Sequence, residues 1–105
     1  KRQASVNLIY YRRRNKMKEE LNELRKEIDK LNKELLKILS SRGEIVKNIG
    51  RIKRKKGISL VDSDREDEIL KKIKSQNEGP YSSAQIGKIF QEIFKQSVGL
   101  QKEDS

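Results

Sequence analysis

Arg42 and Lys53 are two cations on a stretch of sequence whose inward positions are otherwise apolar. From Leu21 the apolar residues alternate in spacing between three and four, and the position that this pattern reaches between Ile38 and Ile45 is Arg42. A charge inside packed helices is costly without a counter-charge, so Arg42 either meets an anion or extends to the edge of the bundle. Lys53 follows after about three helical turns, so both cations share one face, about 16 Å apart along the axis. They can flank one small dianion.

The chain contains no histidine and no cysteine. Catalytic triads built on histidine, thiol nucleophiles, zinc fingers, haem attachment and disulfides are therefore excluded. No spacing of carboxylates suggests a metal site, and we predict neither a metal nor a cofactor. No segment approaches the roughly 20 apolar residues that span a bilayer, and none has the character of a signal peptide. We take the cytoplasm as the default location.

The net charge of +10 favours an anionic partner, and the positive surplus is confined to the first half of the 105 residues. Residues 1–20 contain the run Arg12–Arg14 beside Tyr10 and Tyr11, which could form a nucleic-acid-binding arm. They could instead form a basic extension exposed to solvent, and we favour this second interpretation. We assign residues 1–20 to an N-terminal extension, either a continuation of the first helix or a segment added by cloning or engineering, and residues 21–105 to the domain.

The elements that carry these residues are three helices. No glycine precedes Gly43 and the only proline is Pro80, so a first helix can run unbroken from about residue 20 to Gly57. A second helix begins at Asp62 or Ser63, and its few apolar residues predict that it covers a core rather than forming one.

The third helix follows a turn at residues 77–80 and begins at Ser82 or Ser83. Its predicted buried stripe consists of Ile86, Ile89, Phe90, Ile93 and Phe94. Continuing the stripe reaches Ser97, with Gln101 one turn later, so polar residues replace apolar ones at the end of its inner face.

The first helix is too long to be covered by its own chain. A helix over residues 20–56 is roughly 55 Å long, whereas a compact globule of this chain length has a radius of gyration near 13 Å. The apolar seam therefore predicts a second copy of the chain, most simply in a two-fold dimer.

An ordered set of motifs over residues 21–102 resembles the all-helical class of chorismate mutase. The motifs are Leu24-Arg25-Lys-Glu-Ile-Asp29, Ser41-Arg42-Gly-Glu, Ile49-Gly50-Arg-Ile-Lys53, Asp62-Ser-Asp-Arg65-Glu66 and Ile93-Phe-Lys-Gln-Ser97-Val-Gly-Leu-Gln101. The resemblance implies an all-α fold of three helices, one very long, forming an intertwined homodimer. It also implies conversion of chorismate to prephenate by a non-covalent Claisen rearrangement, which requires neither a nucleophile nor a cofactor.

The resemblance assigns a role to each candidate residue. Arg25 and Arg42 would bind the two carboxylates of the substrate, assisted by Arg65 and Ser97. Lys53 and Gln101 would donate hydrogen bonds to the ether oxygen, while Asp62 and Glu66 would position the ring hydroxyl.

Arg25 and Arg42 are separated by about 25 Å on a continuous helix, so a single ligand about 10 Å across can meet both only if Arg25 comes from a second copy. Arginine at both positions suits bidentate carboxylate binding.

Among family members the sequence looks most similar to mutase domains fused ahead of DAHP synthase, on account of the Asn77-Glu-Gly-Pro-Tyr81 turn, the Ile89–Lys95 stretch and the tail from Leu100. Such domains also sense chorismate or prephenate. The alternative function is a non-catalytic helical module that binds these metabolites, or nucleic acid through the basic N-terminus.

Overall fold

The computed structural model describes residues 2–103, and within them the side chains of residues 7–102. These residues form three α-helices and no strand, namely α1 (Arg2–Lys56), α2 (Ser63–Gln76) and α3 (Ser83–Glu103). This confirms the predicted all-α class with one very long helix. None of the helices in the described range is long and apolar enough to cross a membrane.

Helix α1 begins earlier than the predicted start near residue 20. Its 55 residues include nearly all of the basic N-terminal segment, which contains neither glycine nor proline to end a helix. Four basic residues, Lys53 to Lys56, form its last turn, where positive charge interacts favourably with the negative end of the helix dipole.

Gly57 ends α1, as predicted, by adopting a left-handed backbone conformation with φ of 66°. The amide of Gly57 donates to the carbonyl of Arg54 at 3.3 Å, and the amide of Ile58 donates to the carbonyl of Lys53 at 2.8 Å. These two bonds form a Schellman motif, which satisfies carbonyls that the helix end would otherwise leave unpaired. The carbonyl of Lys53 is therefore tied to the loop that follows.

We expect Gly57→Ala to lower the free energy of unfolding by roughly 1 kcal/mol, because an L side chain is disfavoured in the left-handed conformation. A Cβ at position 57 would meet no atom within 4 Å, so the effect comes from the backbone alone. Urea denaturation measures it, and Gly57→Asn is the matched control, since asparagine tolerates this conformation better. Equal losses in the two variants would contradict this explanation.

Side-chain caps begin the other two helices. The carboxylate of Asp62 accepts a hydrogen bond from the amide of Arg65 at 3.0 Å, so Asp62 rather than Ser63 is the cap of α2. Ser82 and Gln85 form a reciprocal capping box at α3: the Gln85 amide donates to the Ser82 hydroxyl, and the Ser82 amide donates to the Gln85 side chain. The turn before α3 is held by Asn77, whose side chain accepts from the amide of Gly79 and donates to the carbonyl of Tyr81.

The chain divides into two compact units, residues 1–39 and residues 40–105. In the second unit the core is small, with Val46 of α1 and Phe94 of α3 as its buried apolar side chains. Helix α2 has no buried residue, which agrees with the prediction that it covers the core. Within the predicted stripe of α3, Phe94 is buried, Ile86, Phe90 and Ile93 are half-buried, and Ile89 is exposed in the single chain.

The first unit consists of helix alone over its described part. Its apolar seam is exposed, with the side chains of Leu21, Leu24, Ile28, Leu31 and Leu35 between 46% and 60% accessible. A continuous apolar stripe of this length is typical of a surface that packs against another chain.

Candidate active site

A cavity of about 470 Å³ lies within the second unit, between the end of α1, the start of α2 and the end of α3. It is lined by every predicted site residue except Arg25, namely Arg42, Lys53, Asp62, Arg65, Glu66, Ser97 and Gln101. The volume falls within the range of pockets that bind small molecules. The remaining lining is largely apolar and includes Val46, Ile49 and Phe94.

Arg42 is half-buried and is held by two residues of α3. Its guanidinium donates a hydrogen bond to the Ser97 hydroxyl at 2.8 Å and lies 6.0 Å from the centre of the Phe94 ring. The Ser97 hydroxyl donates in turn to the carbonyl of Ile93 at 2.6 Å, which orients its oxygen to accept from Arg42. The guanidinium is thus fixed by a neutral acceptor and an aromatic face, which leave its charge uncompensated.

Two of the three cations that line the cavity, Arg42 and Lys53, form no ion pair within the part of the chain that the structure describes. Over the described side chains, no carboxylate lies within ion-pairing distance of Arg42 or Lys53. Lys53 instead donates to the backbone carbonyl of Leu60 at 3.3 Å, in the loop between α1 and α2. Two half-buried cations without carboxylate partners favour an anionic group of a ligand beside them.

Gln101 is the one buried polar residue among those described, with 7% of its surface accessible. Its side-chain oxygen, Oε1, is buried without a hydrogen-bond partner. A buried amide oxygen without a partner among the described residues is costly, which makes the Gln101 side chain a candidate for contact with a ligand.

The start of α2 supplies the acidic side of the cavity. Asp62 is exposed and already accepts the capping bond described above. Arg65 pairs with Glu68 at 2.8 Å through one guanidinium nitrogen, which leaves its other donors for a ligand. Glu66 is half-buried and forms no ion pair within the described residues. Arg25 lies in the first unit and is exposed to solvent there.

The family model of chorismate mutase type II matches residues 24–102. The chain belongs to this family. Two solved structures of chorismate mutase from Thermus thermophilus are similar to it. Form II is 40% identical, with a TM-score of 0.78, and the match covers 81% of this chain and 97% of that one. Form I is 43% identical, with a TM-score of 0.70, and the match covers 73% of this chain and 96% of that one. Curated protein sequences contain no match to the chain.

Phe94 and Leu60 contact predicted site residues but were not themselves predicted to belong to the site. Phe94 was placed on the buried stripe of α3, but not against Arg42. Lys53 contacts the backbone carbonyl of Leu60. Every residue has a backbone carbonyl, so the residue type at position 60 does not predict this contact. Phe94 could have been found, since it precedes Ser97 by one turn on the same face of α3.

Proposed function

We propose that this chain converts chorismate to prephenate in the cavity of residues 40–105, with Arg25 of a second copy completing the site. Membership of the chorismate mutase type II family supports the reaction. The observation that supports the site is that Arg42 and Lys53, which form no ion pair among the described residues, line one cavity with the buried amide of Gln101. That combination suits a small dianion with an additional hydrogen-bond acceptor.

Catalysis by this cavity requires positioning and electrostatics only. In the rearrangement one carbon–oxygen bond of the ether breaks and one carbon–carbon bond forms within the same molecule, so no group is transferred to the protein. The protein therefore accelerates the reaction by holding the reactive conformer and by stabilising negative charge that develops on the ether oxygen.

Arg42 would bind one substrate carboxylate. Its hydrogen bond to Ser97 and its position over Phe94 orient the guanidinium before the substrate arrives, which reduces the entropy lost on binding. An arginine bound at one nitrogen still has donors for a bidentate carboxylate contact. Arg65 would assist with the guanidinium donors that its bond to Glu68 does not use.

We expect Phe94→Leu to raise KM for chorismate several-fold, on the order of 0.5–2 kcal/mol of lost cation–π interaction, with a smaller effect on kcat. Phe94 is 5% accessible, so thermal unfolding of the variant will also occur at a lower temperature. Phe90→Leu is the matched control, because Phe90 packs on Phe94 and does not line the cavity. An equal rise in KM for both variants would show that the effect comes from core packing and not from the contact with Arg42.

Lys53 and Gln101 would donate to the ether oxygen. The ammonium of Lys53 has three protons and uses one on the carbonyl of Leu60, so two remain for a ligand. The amide nitrogen of Gln101 can donate at any ordinary pH, since a glutamine side chain does not ionise. Both donors act in a partly enclosed cavity, where a hydrogen bond to developing charge is stronger than in water.

Asp62 and Glu66 would position the ring hydroxyl, whose single proton either carboxylate can accept. They are one helical turn apart at the start of α2, and both line the cavity. Asp62 also caps the helix, so its replacement would affect stability as well as binding.

The intertwined homodimer is proposed from the exposed apolar seam of residues 21–35 and from the site's need for a second carboxylate ligand. In a two-fold dimer each seam would be covered by the partner, and each cavity would receive the partner's Arg25. Residues 21–105 form the mutase domain in this proposal, and residues 1–20 extend its first helix.

The loss of chorismate absorbance in the presence of the purified chain tests the function directly. We expect saturable turnover, together with a mass in solution of twice the chain mass. A chain that binds prephenate without turnover would instead act as a sensor of these metabolites. A chain with neither turnover nor binding would overturn the proposal.

We also propose that the domain regulates a DAHP synthase, either fused or associated, on the basis of the sequence resemblance in the Asn77–Tyr81 turn, which Asn77 rigidifies through two side-chain hydrogen bonds. Synthase activity from the same genome can be measured with and without this chain at increasing prephenate concentrations. We expect prephenate to inhibit more strongly when the chain is present. Identical inhibition curves would exclude the association.

A further inference from the structure

Gly50 of α1 lies directly against Gln101 of α3. Gly50 is buried, and a Cβ at this position would lie 2.9 Å from each of the Cα, Cβ and Cγ atoms of Gln101. Non-bonded carbon atoms have their optimal separation at about 3.5–4.0 Å, so any side chain at position 50 must displace Gln101. Because the Cα of Gln101 is among these atoms, a change of rotamer cannot relieve the contact.

Arg54 contacts the same residue from the next turn of α1. Its guanidinium donates a hydrogen bond to the backbone carbonyl of Gln101. This carbonyl belongs to the last turn of α3, where carbonyls lack a partner within the helix and where a cation is electrostatically favourable. Gly50 and Arg54 are four residues apart and therefore share one face of α1.

Gln101 is the residue that Gly50 and Arg54 contact, and its amide needs accurate placement to donate to the ether oxygen. Gln101 is buried, lines the cavity and has an oxygen without a partner, so its amide plane is not fixed by hydrogen bonds from its own surroundings. Its position is therefore set through its backbone, by the close approach at Gly50 and by the bond from Arg54.

We propose that Gly50 and Arg54 are positioning residues for Gln101: they hold the end of α3 at the depth where the Gln101 amide can reach the ether oxygen. Neither residue lines the cavity, so both act through Gln101 and not on the substrate. This role rests on the proposed function, because it concerns the donor assigned to that reaction.

Gly50→Ala tests the role against a matched control in the same helix. Gly43 lies seven residues earlier on α1, and a Cβ there would lie 3.2 Å from the Cδ1 atom of Leu100, the flexible end of a side chain. Both substitutions add the same methyl group to a helix and favour helix formation, but only Gly50→Ala collides with backbone. We expect Gly50→Ala to lower kcat by about 10–100-fold with less than about a threefold change in KM, and Gly43→Ala to change neither appreciably.

Arg54 provides a second test that does not depend on how well the Gly50 variant folds. We expect Arg54→Met, which retains the aliphatic part of the side chain, to lower kcat in the same manner, and Arg54→Lys to restore part of it. Circular dichroism should show unchanged helix content in both variants, because Arg54 is exposed apart from this bond.

A double-mutant cycle with Gln101→Ala separates positioning from general stability. If Gly50 and Arg54 act only through the Gln101 amide, then in the Gln101→Ala background each substitution should change kcat by less than about twofold. Losses of kcat that add to the loss caused by Gln101→Ala would overturn the proposal. A wild-type kcat in both Gly50→Ala and Arg54→Met would overturn it as well.

The side-chain amide signal of Gln101 in an ¹⁵N NMR spectrum tests the contact without an activity assay. We expect this signal to shift in Gly50→Ala and to stay in place in Gly43→Ala. A wild-type chain without turnover would overturn the proposed reaction while leaving this shift measurable. Unchanged spectra in an active enzyme would overturn the positioning role alone.

Discussion

Replacing Arg42 with alanine should reduce kcat/KM for chorismate by about 10³-fold or more, because the substitution removes the bidentate ligand of one substrate carboxylate. The fold should survive, since the guanidinium is a half-buried charge without a carboxylate partner, and its removal exposes no uncompensated charge. Initial rates of chorismate loss measure the effect, and circular dichroism measures helix content.

Two further variants make the Arg42 result specific. Arg42→Lys keeps the charge but not the planar pair of donors, so its activity should lie between those of the wild type and Arg42→Ala. Lys72→Ala removes one positive charge from an exposed position of α2 outside the cavity, and it should leave the rate unchanged. An Arg42→Ala protein that retains most of its activity would remove this residue from the site.

Mixing two inactive variants should restore activity if the site is shared between two chains. In a heterodimer of Arg25→Ala with Arg42→Ala, one cavity carries both substitutions and the other carries neither. Random pairing after co-expression should therefore give about a quarter of the wild-type activity, since half of the dimers contain one intact site of two. Each variant alone should be close to inactive.

The matched control pairs Arg42→Ala with Lys53→Ala. Both residues line the cavity of a single chain, so every cavity in that heterodimer lacks one of them and activity should stay at the level of the parents. Recovery of activity in this control would mean that each site takes residues other than Arg25 from the partner chain. Absence of recovery in the Arg25 and Arg42 pair would contradict a site built from two chains.

The local sequence is sufficient to predict the helices and their ends because the signals are short-range. The absence of glycine and proline before Gly43 lets α1 run without a break, and Gly57 ends it through its own backbone conformation. Asp62 and Ser82 each cap a helix by a hydrogen bond to the residue three positions later. The start of α1 at Arg2 agrees with one of the alternatives left open for residues 1–20, because a helix without a stop signal has no defined beginning in the sequence. The exposure of Ile89 was not predicted, because a stripe does not reveal how far a neighbouring helix extends.

The candidate site could be predicted as a set of residues but not as an arrangement. Arg42 stood out as a charge in an apolar seam, Lys53 as a cation on the same face, and Ser97 and Gln101 as the polar end of the α3 stripe. The motifs shared with the family supplied the other site residues. Their common cavity and the unpaired charges of Arg42 and Lys53 became visible only with the packing of α3 on the second half of α1.

By itself, then, the sequence determined an all-helical chain with an arginine in its apolar seam and without histidine or cysteine for catalysis. Only the tertiary structure decided that Phe94 lies under Arg42, that Lys53 reaches the carbonyl of Leu60, and that Gln101 rests against Gly50. The physical reason is that helix periodicity defines which face a residue occupies, whereas the depth at which two faces meet depends on side chains some fifty positions apart in the chain, such as those of Arg42 and Ser97.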